Sequence, residues 1–127
     1  MAKILVVEDS PTQRELITNL LKAHQKKHPF EIRTANNGIE AIAKALSFHP
    51  DLVIMDIIMP QMHGYELCRK LRDNPETWNI NIVMCSAKAT KADRHWGLRQ
   101  GANAYVTKPF HPEELLDTVN ELLNSSA

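Results

Sequence analysis

Five short apolar segments recur along the chain, separated by longer stretches in which apolar residues follow a helical spacing. The short segments contain mostly β-branched and other apolar residues, as buried strands do. They comprise residues 3–7, 31–35, 52–55, 82–85 and 104–107. The pattern therefore predicts a strand followed by a helix, repeated five times.

Residues that favour helix starts mark two of the helices. Ser10-Pro11 places an N-cap residue before a proline at the first helical position, and Asn37-Gly38 precedes the second helix. The other helices are predicted over residues 65–71, 91–99 and 112–123, and the first is expected to end within residues 24–28. The predicted apolar faces comprise Leu16, Ile17, Leu20 and Leu21 in the first helix and Ile39, Ile42, Ala43 and Leu46 in the second.

The fold class follows from how these elements alternate. Strands of nearly continuous apolar character need cover on both faces, and right-handed crossovers place helices on both sides of a parallel sheet. The sequence therefore predicts a doubly wound α/β fold with five helices and a five-stranded parallel sheet in the order 2-1-3-4-5. No linker or low-complexity tract interrupts the series, so we expect one domain over residues 1–127 without an attached output domain.

Composition narrows the choice of partners and location. Lys plus Arg number 15, as do Asp plus Glu, so no excess charge attracts a nucleic acid or an anionic membrane. We expect a protein or small-ligand partner, no nucleic acid and no membrane insertion. The N-terminus lacks the apolar region of a signal peptide, and no apolar run approaches the roughly 18 residues of a spanning helix. We therefore expect a soluble cytoplasmic protein.

The two cysteines, Cys68 and Cys85, have neither the number nor the spacing of a disulfide framework or a zinc site. We interpret both as small buried hydrophobic residues.

Polar side chains follow the ends of four predicted strands. Strand 1 ends at Glu8-Asp9, strand 3 at Asp56, strand 4 at Ser86 and strand 5 at Lys108. In such sheets ligands bind beyond the carboxyl ends of the strands where the strand order reverses, here between strands 1 and 3. Strand 2 offers no charge at its end, residues 34–36. We therefore expect three carboxylates, one hydroxyl and one ammonium group on one rim of the sheet.

Each of these residues also has a simpler interpretation. A single Asp after a strand is usually a turn residue or helix cap, Ser86 is a candidate cap for helix 4, and Lys108 is a candidate surface lysine. These interpretations do not explain why three negative charges share one rim, where they repel each other. A divalent cation offsets the repulsion. Magnesium prefers oxygen ligands and keeps several waters, which fits Asp9 and Asp56 as direct ligands with Glu8 acting through water.

Four motifs, V-V-E-D-S-P, D-I-I-M-P-Q-M-H-G, C-S-A and Y-V-T-K-P-F, occur in this order along the chain. Together they resemble the receiver domains of two-component response regulators, the group that includes the chemotaxis protein CheY. The resemblance covers the whole chain and implies the flavodoxin-like receiver fold. The segment KADRHWGLRQGANAYVTKPF is most similar to single-domain regulators of twitching motility and of related phototaxis or chemotaxis-like systems.

The resemblance implies roles for the rim residues, with a histidine kinase as phosphodonor. The implied residues are Asp56 as phosphoacceptor, Glu8, Asp9, Asp56 and the backbone carbonyl of Ile58 around magnesium, and Ser86 and Lys108 at the phosphoryl oxygens. The residue types agree with this chemistry, because a carboxylate is a nucleophile and cations offset charge on the transferred group. The resemblance also implies a cis peptide bond between Lys108 and Pro109.

Two aromatic residues are candidates for the output of such a switch. Tyr105 resembles the family's switch aromatic, which turns inward when the hydroxyl of Ser86 moves; the alternative is a half-buried tyrosine on an edge strand. Trp96 is either a core anchor or part of a docking face. We expect a downstream partner to dock on the surface formed by helix 4, strand 5 and helix 5.

Three histidines have open interpretations. His63 stands where many receivers have an aspartate, and it either tunes the choice of kinase or, as we favour, is a solvent-facing loop residue. His24 and His28 are spaced i, i+4 and either bind zinc or favour the macrodipole at a helix end, which is our preferred interpretation.

Three functions compete. The favoured one is a stand-alone phosphoacceptor switch in motility, phototaxis or chemotaxis-like signalling that catalyses only its own phosphorylation and dephosphorylation; a phosphate sink or shuttle is the alternative. An enzyme using Asp56 on an external substrate, with the haloacid-dehalogenase-like pattern, needs a second Asp where Ile58 stands. A phosphorylation-independent pseudo-receiver is expected to lack one of Glu8, Asp9, Asp56 and Lys108, and all are present.

Overall fold

The computed structural model describes residues 1–23 and 29–125, in which strands and helices alternate. The strands are β1 (Ala2–Val7), β2 (Phe30–Ala35), β3 (Leu52–Met55), β4 (Asn81–Ser86) and β5 (Ala104–Thr107). The helices are α1 (Pro11–Ala23), α2 (Gly38–Phe48), α3 (Gly64–Asp73), α4 (Lys91–Arg99) and α5 (Pro112–Ser125). All ten predicted elements are confirmed. The expected end of α1 within residues 24–28, with His24 and His28, lies outside the described residues.

The sheet is parallel throughout and has the predicted strand order, β2-β1-β3-β4-β5. Val7, the last residue of β1, pairs with Ala35 of β2 on one side and Met55 of β3 on the other. The residues that follow β1 and β3 therefore leave the sheet at the same level, beside the point where the strand order reverses.

Each face of the sheet carries its own apolar core because side chains alternate along every strand. Leu5 and Val7 belong to the core beneath α2 and α3, whereas Ile4 and Val6 belong to the core beneath α1 and α5. The doubly wound α/β class predicted from the sequence is confirmed.

The predicted apolar faces of the first two helices need correction. Leu16 is 52% exposed on α1, although Ile17 and Leu21 are buried. On α2, Ile39 is 57% exposed and Ala43 is also exposed, whereas Leu20 of α1, Ile42 and Leu46 are partly buried. The buried residues of α2 are Gly38, Ala41, Ala45 and Phe48. The small alanines allow the helix to pack closely on the sheet, whereas the predicted face comprised Ile39, Ile42, Ala43 and Leu46.

Capping residues begin the helices where the sequence indicates them. The Ser10 hydroxyl accepts a hydrogen bond from the backbone N–H of Gln13 at 3.3 Å, and the Asn37 side chain accepts one from Glu40 at 2.8 Å. Thr90 and Asp93 form a reciprocal capping box at the start of α4. Ser86 is therefore not the cap of α4.

The cysteine interpretation is confirmed, since Cys68 and Cys85 are both buried free thiols. Burial raises the pKa of Cys68 to about 11 and that of Cys85 to about 12, so both stay protonated at neutral pH. Within the described residues, no helix combines the length and apolar character that crossing a lipid bilayer requires.

Candidate functional site

The candidate site lies at the carboxyl ends of β1, β3, β4 and β5. Asp56 follows β3, and its backbone N–H donates to the carbonyl of Val7 at 3.3 Å, which holds the loop after β3 against β1. Lys108 follows β5, and its N–H donates to the carbonyl of Ser86 at 2.8 Å. The sheet ladder thus continues one step beyond the strands and fixes the backbone of the rim residues.

Lys108 bridges two carboxylates at this rim. Its Nζ lies 2.7 Å from Oε2 of Glu8 and 3.3 Å from Oδ2 of Asp56. The side chains of Lys108, Glu8 and Asp56 are only 13%, 3% and 16% exposed, so their charges interact with little screening by water. Lys108 is therefore not a surface lysine. Its ammonium group offsets the negative charge of Glu8 and Asp56.

The electrostatics of the bridge favour a protonated Lys108. Burial alone would lower the pKa of Lys108, but the hydrogen bond to Glu8 and the negative charges of Asp56 and Glu8 together raise it above the ordinary value. Burial raises the pKa of Glu8, and the hydrogen bond and charge of Lys108 oppose that effect. The site therefore keeps a fixed positive charge beside Asp56 at neutral pH.

Backbone groups hold the other oxygen of Asp56. Oδ1 accepts from the N–H of Ile57 at 2.7 Å and from that of Ile58 at 3.4 Å. Gly64 lies directly behind this loop, and its N–H donates to the carbonyl of Ile57 at 2.6 Å. A Cβ on Gly64 would lie 2.4 Å from the Asp56 carbonyl oxygen, so only glycine allows this approach. The sequence showed this residue only as part of the M-H-G motif.

A short hydrogen-bonded chain connects Ser86 to Tyr105 through the backbone of Lys88. The Ser86 hydroxyl accepts from the N–H of Lys88 at 3.3 Å, and the Tyr105 hydroxyl donates to the carbonyl of Lys88 at 2.6 Å. Tyr105 is 9% exposed, and burial raises its pKa. The sequence prediction missed Lys88, because the groups that Lys88 contributes belong to its backbone and leave no side-chain signal.

An open groove of about 530 Å³ adjoins Asp56. Leu16 and Leu20 of α1 line one side, and Phe110 lies in the segment after β5. Ile58 also lines the groove and is 60% exposed. The groove opens to solvent beside Asp56, and its apolar lining includes Leu16, which the sequence had placed on the apolar face of α1.

Two other predicted side chains, those of Asp9 and Trp96, are exposed to solvent. Asp9 follows Glu8 but is exposed, and among the described residues no three His, Cys, Asp or Glu side chains are grouped to hold a metal ion. Trp96 is 53% exposed on α4, so the core-anchor interpretation is wrong. The peptide bond between Lys108 and Pro109 is cis, as the family resemblance implied.

This fold and this lysine-bridged acidic rim define a class of signalling domain. The family model described as response regulator receiver domain matches residues 4–120, and the chain belongs to this family. The resemblance inferred from the motifs is confirmed. Receiver domains of this kind are phosphorylated by histidine kinases and signal to downstream targets.

Comparison with individual proteins agrees with the family. Protein PilH of Pseudomonas aeruginosa is 41% identical over 123 residues, which covers 97% of this chain and 98% of PilH. Several other curated relatives are longer, and the chain spans about half of their length.

Two solved structures share the whole fold. The chemotaxis protein CheY4 of Vibrio cholerae has a TM-score of 0.86 and 33% identity, covering 96% of this chain and 98% of CheY4. The receiver domain of the sensor histidine kinase PA1611 of P. aeruginosa has a TM-score of 0.87 and 28% identity, covering 97% and 98% of the two chains. The PA1611 structure holds a magnesium ion in its active-site cleft.

His63 caps helix α3 next to this site. Its Nδ1 accepts a hydrogen bond from the N–H of Tyr65 at 3.2 Å, and its ring packs edge-on against Tyr65 with centroids 4.8 Å apart. Desolvation and the positive charges of Lys88 and Arg69 lower the pKa of His63, against the opposing charges of Asp56 and Glu66. His63 is exposed, as expected, but it also has a structural role that the sequence analysis did not assign.

We predict that the His63 cap makes stability depend on pH. Its pKa in the fold is lower than the value of 6.5 for a free histidine, so its contribution is complete above that value and is lost as the pH falls. His63→Asn keeps a cap acceptor but cannot titrate. Urea unfolding of both proteins between about pH 5 and 7 should show a flatter pH dependence for the variant.

His95→Asn, the same change at another exposed histidine, is the control variant. Equal slopes in the unmutated protein and His63→Asn would contradict the assignment.

Proposed function

We propose that this chain is a phosphoacceptor switch: Asp56 takes a phosphoryl group from the phosphohistidine of a histidine kinase, and the modified site changes the surface of α4, β5 and α5. The observation that carries the proposal is the lysine bridge, in which Lys108 contacts Oδ2 of Asp56 while backbone N–H groups hold Oδ1. Membership of the receiver family supports a histidine kinase as the donor class.

The transfer needs little chemistry from the protein beyond positioning and charge. Oδ2 of Asp56 forms a bond to phosphorus as the bond between phosphorus and the donor imidazole nitrogen breaks, and that nitrogen keeps the electron pair. Lys108 is protonated and adjacent to Oδ2, so it offsets negative charge on the phosphoryl oxygens. Water later attacks the phosphorus, the bond between phosphorus and Oδ2 breaks with its electron pair left on Oδ2, and inorganic phosphate leaves the restored Asp56 carboxylate.

The ligand chemistry at the rim fits magnesium, although the Glu8, Asp9 and Asp56 carboxylates do not form a three-ligand group in this structure. The groups available at the rim are the carboxylates of Glu8, Asp9 and Asp56 and the backbone carbonyl of Ile58, all hard oxygen ligands of the kind magnesium prefers. Asp9, Asp56 and the Ile58 carbonyl would hold the ion, with Glu8 acting through water. When bound, magnesium would supply positive charge to the phosphoryl oxygens.

The Ser86–Lys88–Tyr105 chain provides a route from the site to the output surface. A phosphoryl oxygen that accepts a hydrogen bond from Ser86 draws this hydroxyl toward Asp56. The movement alters the bond between Ser86 and Lys88, and hence the position of the carbonyl that holds Tyr105. The phosphoryl group shifts the equilibrium between the resting and the active arrangement of these residues only to the extent that it binds the active arrangement more tightly.

In this proposal the protein catalyses only its own phosphorylation and dephosphorylation. Ile58 lies two residues after Asp56 and exposes an apolar side chain to the groove, so this position supplies no second acid for turnover of an external substrate. We place the switch in motility, phototaxis or chemotaxis-like signalling because residues 91–110 resemble regulators of that kind. A cytoplasmic location and a downstream protein target belong to the same proposal.

The first test replaces the phosphoacceptor. Asp56→Asn removes the nucleophilic carboxylate, so phosphorylation by a phosphorylated kinase domain should fall by at least about a hundredfold. Transfer of radiolabelled phosphate, with mass spectrometry of the acceptor peptide, measures this. Asp117→Asn, an exposed change on α5, is the control and should be phosphorylated normally. Normal acyl-phosphate formation in Asp56→Asn would sink the site assignment.

The second test concerns the metal. Removing magnesium with EDTA should stop phosphotransfer, and Asp9→Asn should raise the magnesium concentration needed for half-maximal transfer by at least about tenfold. Glu15→Gln changes an exposed carboxylate on α1 and should leave the magnesium titration unaltered. Unchanged transfer in EDTA would refute the proposed metal requirement.

The third test separates phosphorylation from its output. Ser86→Ala removes one hydrogen bond to the phosphoryl group, so transfer to Asp56 should slow by no more than about tenfold. The phosphorylation-dependent change in amide exchange at Tyr105 and along α4 should weaken strongly. A full exchange response in Ser86→Ala would show that the signal leaves the site by another route.

A further inference from the structure

The ring of Tyr105 lies against helix α4 at Gly97. A Cβ added to Gly97 would lie 2.9 Å from Cδ2 and 3.1 Å from Cε2 of the tyrosine ring, and 3.0 Å from Sδ of Met84. Met84 is fully buried in the neighbouring strand β4. The ring therefore occupies space that any side chain at position 97 would need.

Glycine is a poor choice for this position on helix propensity alone. Gly97 lies inside α4 and is the buried residue of that helix, where glycine is less favourable than alanine because it orders a freer backbone. Its φ is not in the left-handed region that favours glycine. The close approach of the Tyr105 ring, together with the Met84 sulfur, is thus the feature of the structure that accounts for glycine here.

Arg94 lies one turn before Gly97 in α4, and its guanidinium group also packs near the Tyr105 ring. Its guanidinium carbon lies 5.8 Å from the Tyr105 ring centroid, and its Nη2 donates to the hydroxyl of Thr107 at 2.7 Å. Arg94 therefore connects α4 to β5 on both sides of Val106, contacting the ring before it and the hydroxyl after it.

We propose that Gly97 and Arg94 are positioning residues that couple Tyr105 to helix α4: Gly97 provides the space for the inward ring, and Arg94 keeps the ring in that space. The signalling consequence rests on the proposed phosphoacceptor function, whereas the position of the ring does not. Trp96 and Leu98 flank Gly97 and are 53% and 46% exposed, so a change in how α4 sits on the ring alters an apolar surface available to a partner.

The experiment compares ring position and signal output in matched variants. Gly97→Ala should displace the ring, and Leu98→Ala, an exposed change at the next position, should not. Nuclear Overhauser contacts between the Tyr105 ring and the Met84 methyl group report ring position. Isotope-labelled tyrosine gives an independent readout, because a displaced Tyr105 regains solvent and its pKa falls toward the ordinary value.

The supporting result is loss of these contacts and a lower tyrosine pKa in Gly97→Ala, with phosphorylation of Asp56 retained. In a Trp78→Phe background, Trp96 is the tryptophan that remains, and its fluorescence response to phosphorylation should be lost in Gly97→Ala. Unchanged ring contacts in Gly97→Ala, or a displaced ring with an unchanged Trp96 response, would overturn the coupling.

A second pair of variants guards against a purely structural effect. In a Tyr105→Leu background the ring is gone and the flexible Met84 side chain is the close neighbour that remains, so Gly97→Ala should lower the resistance to urea less than it does when Tyr105 is present; the same loss in both backgrounds would overturn the inference. Arg94→Met should release the ring partially, and Arg94→Lys, which keeps a cation, should release it less. Failure of the unmutated protein to accept phosphate would overturn the proposed function but leave the ring measurements as a separate test of Gly97 and Arg94.

Discussion

The ionic bridge from Lys108 to Glu8 and Asp56 is the interaction on which the organisation of this rim depends. Two carboxylates with little solvent access would repel each other, and removing the ammonium group would leave both charges uncompensated. The fold meets this requirement by placing β1, β3 and β5 in one parallel sheet, so that residues far apart along the chain end at the same edge. The ion pairs of Lys108 therefore require this strand order, which brings the three strand ends together. The strand order alone would not form them without the charged residues that follow the strands.

The groups that hold Asp56 come from backbone as much as from side chains. One carboxylate oxygen is fixed by the N–H groups of Ile57 and Ile58, and this loop is backed by Gly64. The second oxygen contacts a side-chain group, the ammonium end of Lys108. This asymmetry leaves one oxygen anchored and the other available for chemistry, and His63 stabilises the adjacent helix start through its own acceptor.

Much of this arrangement could be predicted from the sequence because it depends on strong local patterns. Continuous apolar runs marked the strands, and the residues after those runs identified Glu8, Asp56, Ser86 and Lys108 as neighbours. The apolar face of α2 was predicted wrongly at Ile39 and Ala43, because apolar residues surround most of this helix and their spacing alone does not select the face that Ala41 and Ala45 bury. Lys88 could not be predicted, since its contribution is made by backbone groups, but Gly97 left a signal as a glycine inside a helix.

The part of Lys88 in the route from Ser86 to Tyr105 has a consequence for how this loop can vary between related proteins. Both of its hydrogen bonds use main-chain atoms, so nearly any amino acid can stand at this position, proline excepted because it lacks the donor. What must be kept at this position is a backbone path that brings the N–H to the Ser86 hydroxyl and the carbonyl to the Tyr105 hydroxyl. Substitution of Lys88 by most other residues should therefore leave the connection between Ser86 and Tyr105 intact, in contrast to substitution of Ser86 or Tyr105, whose side chains form it.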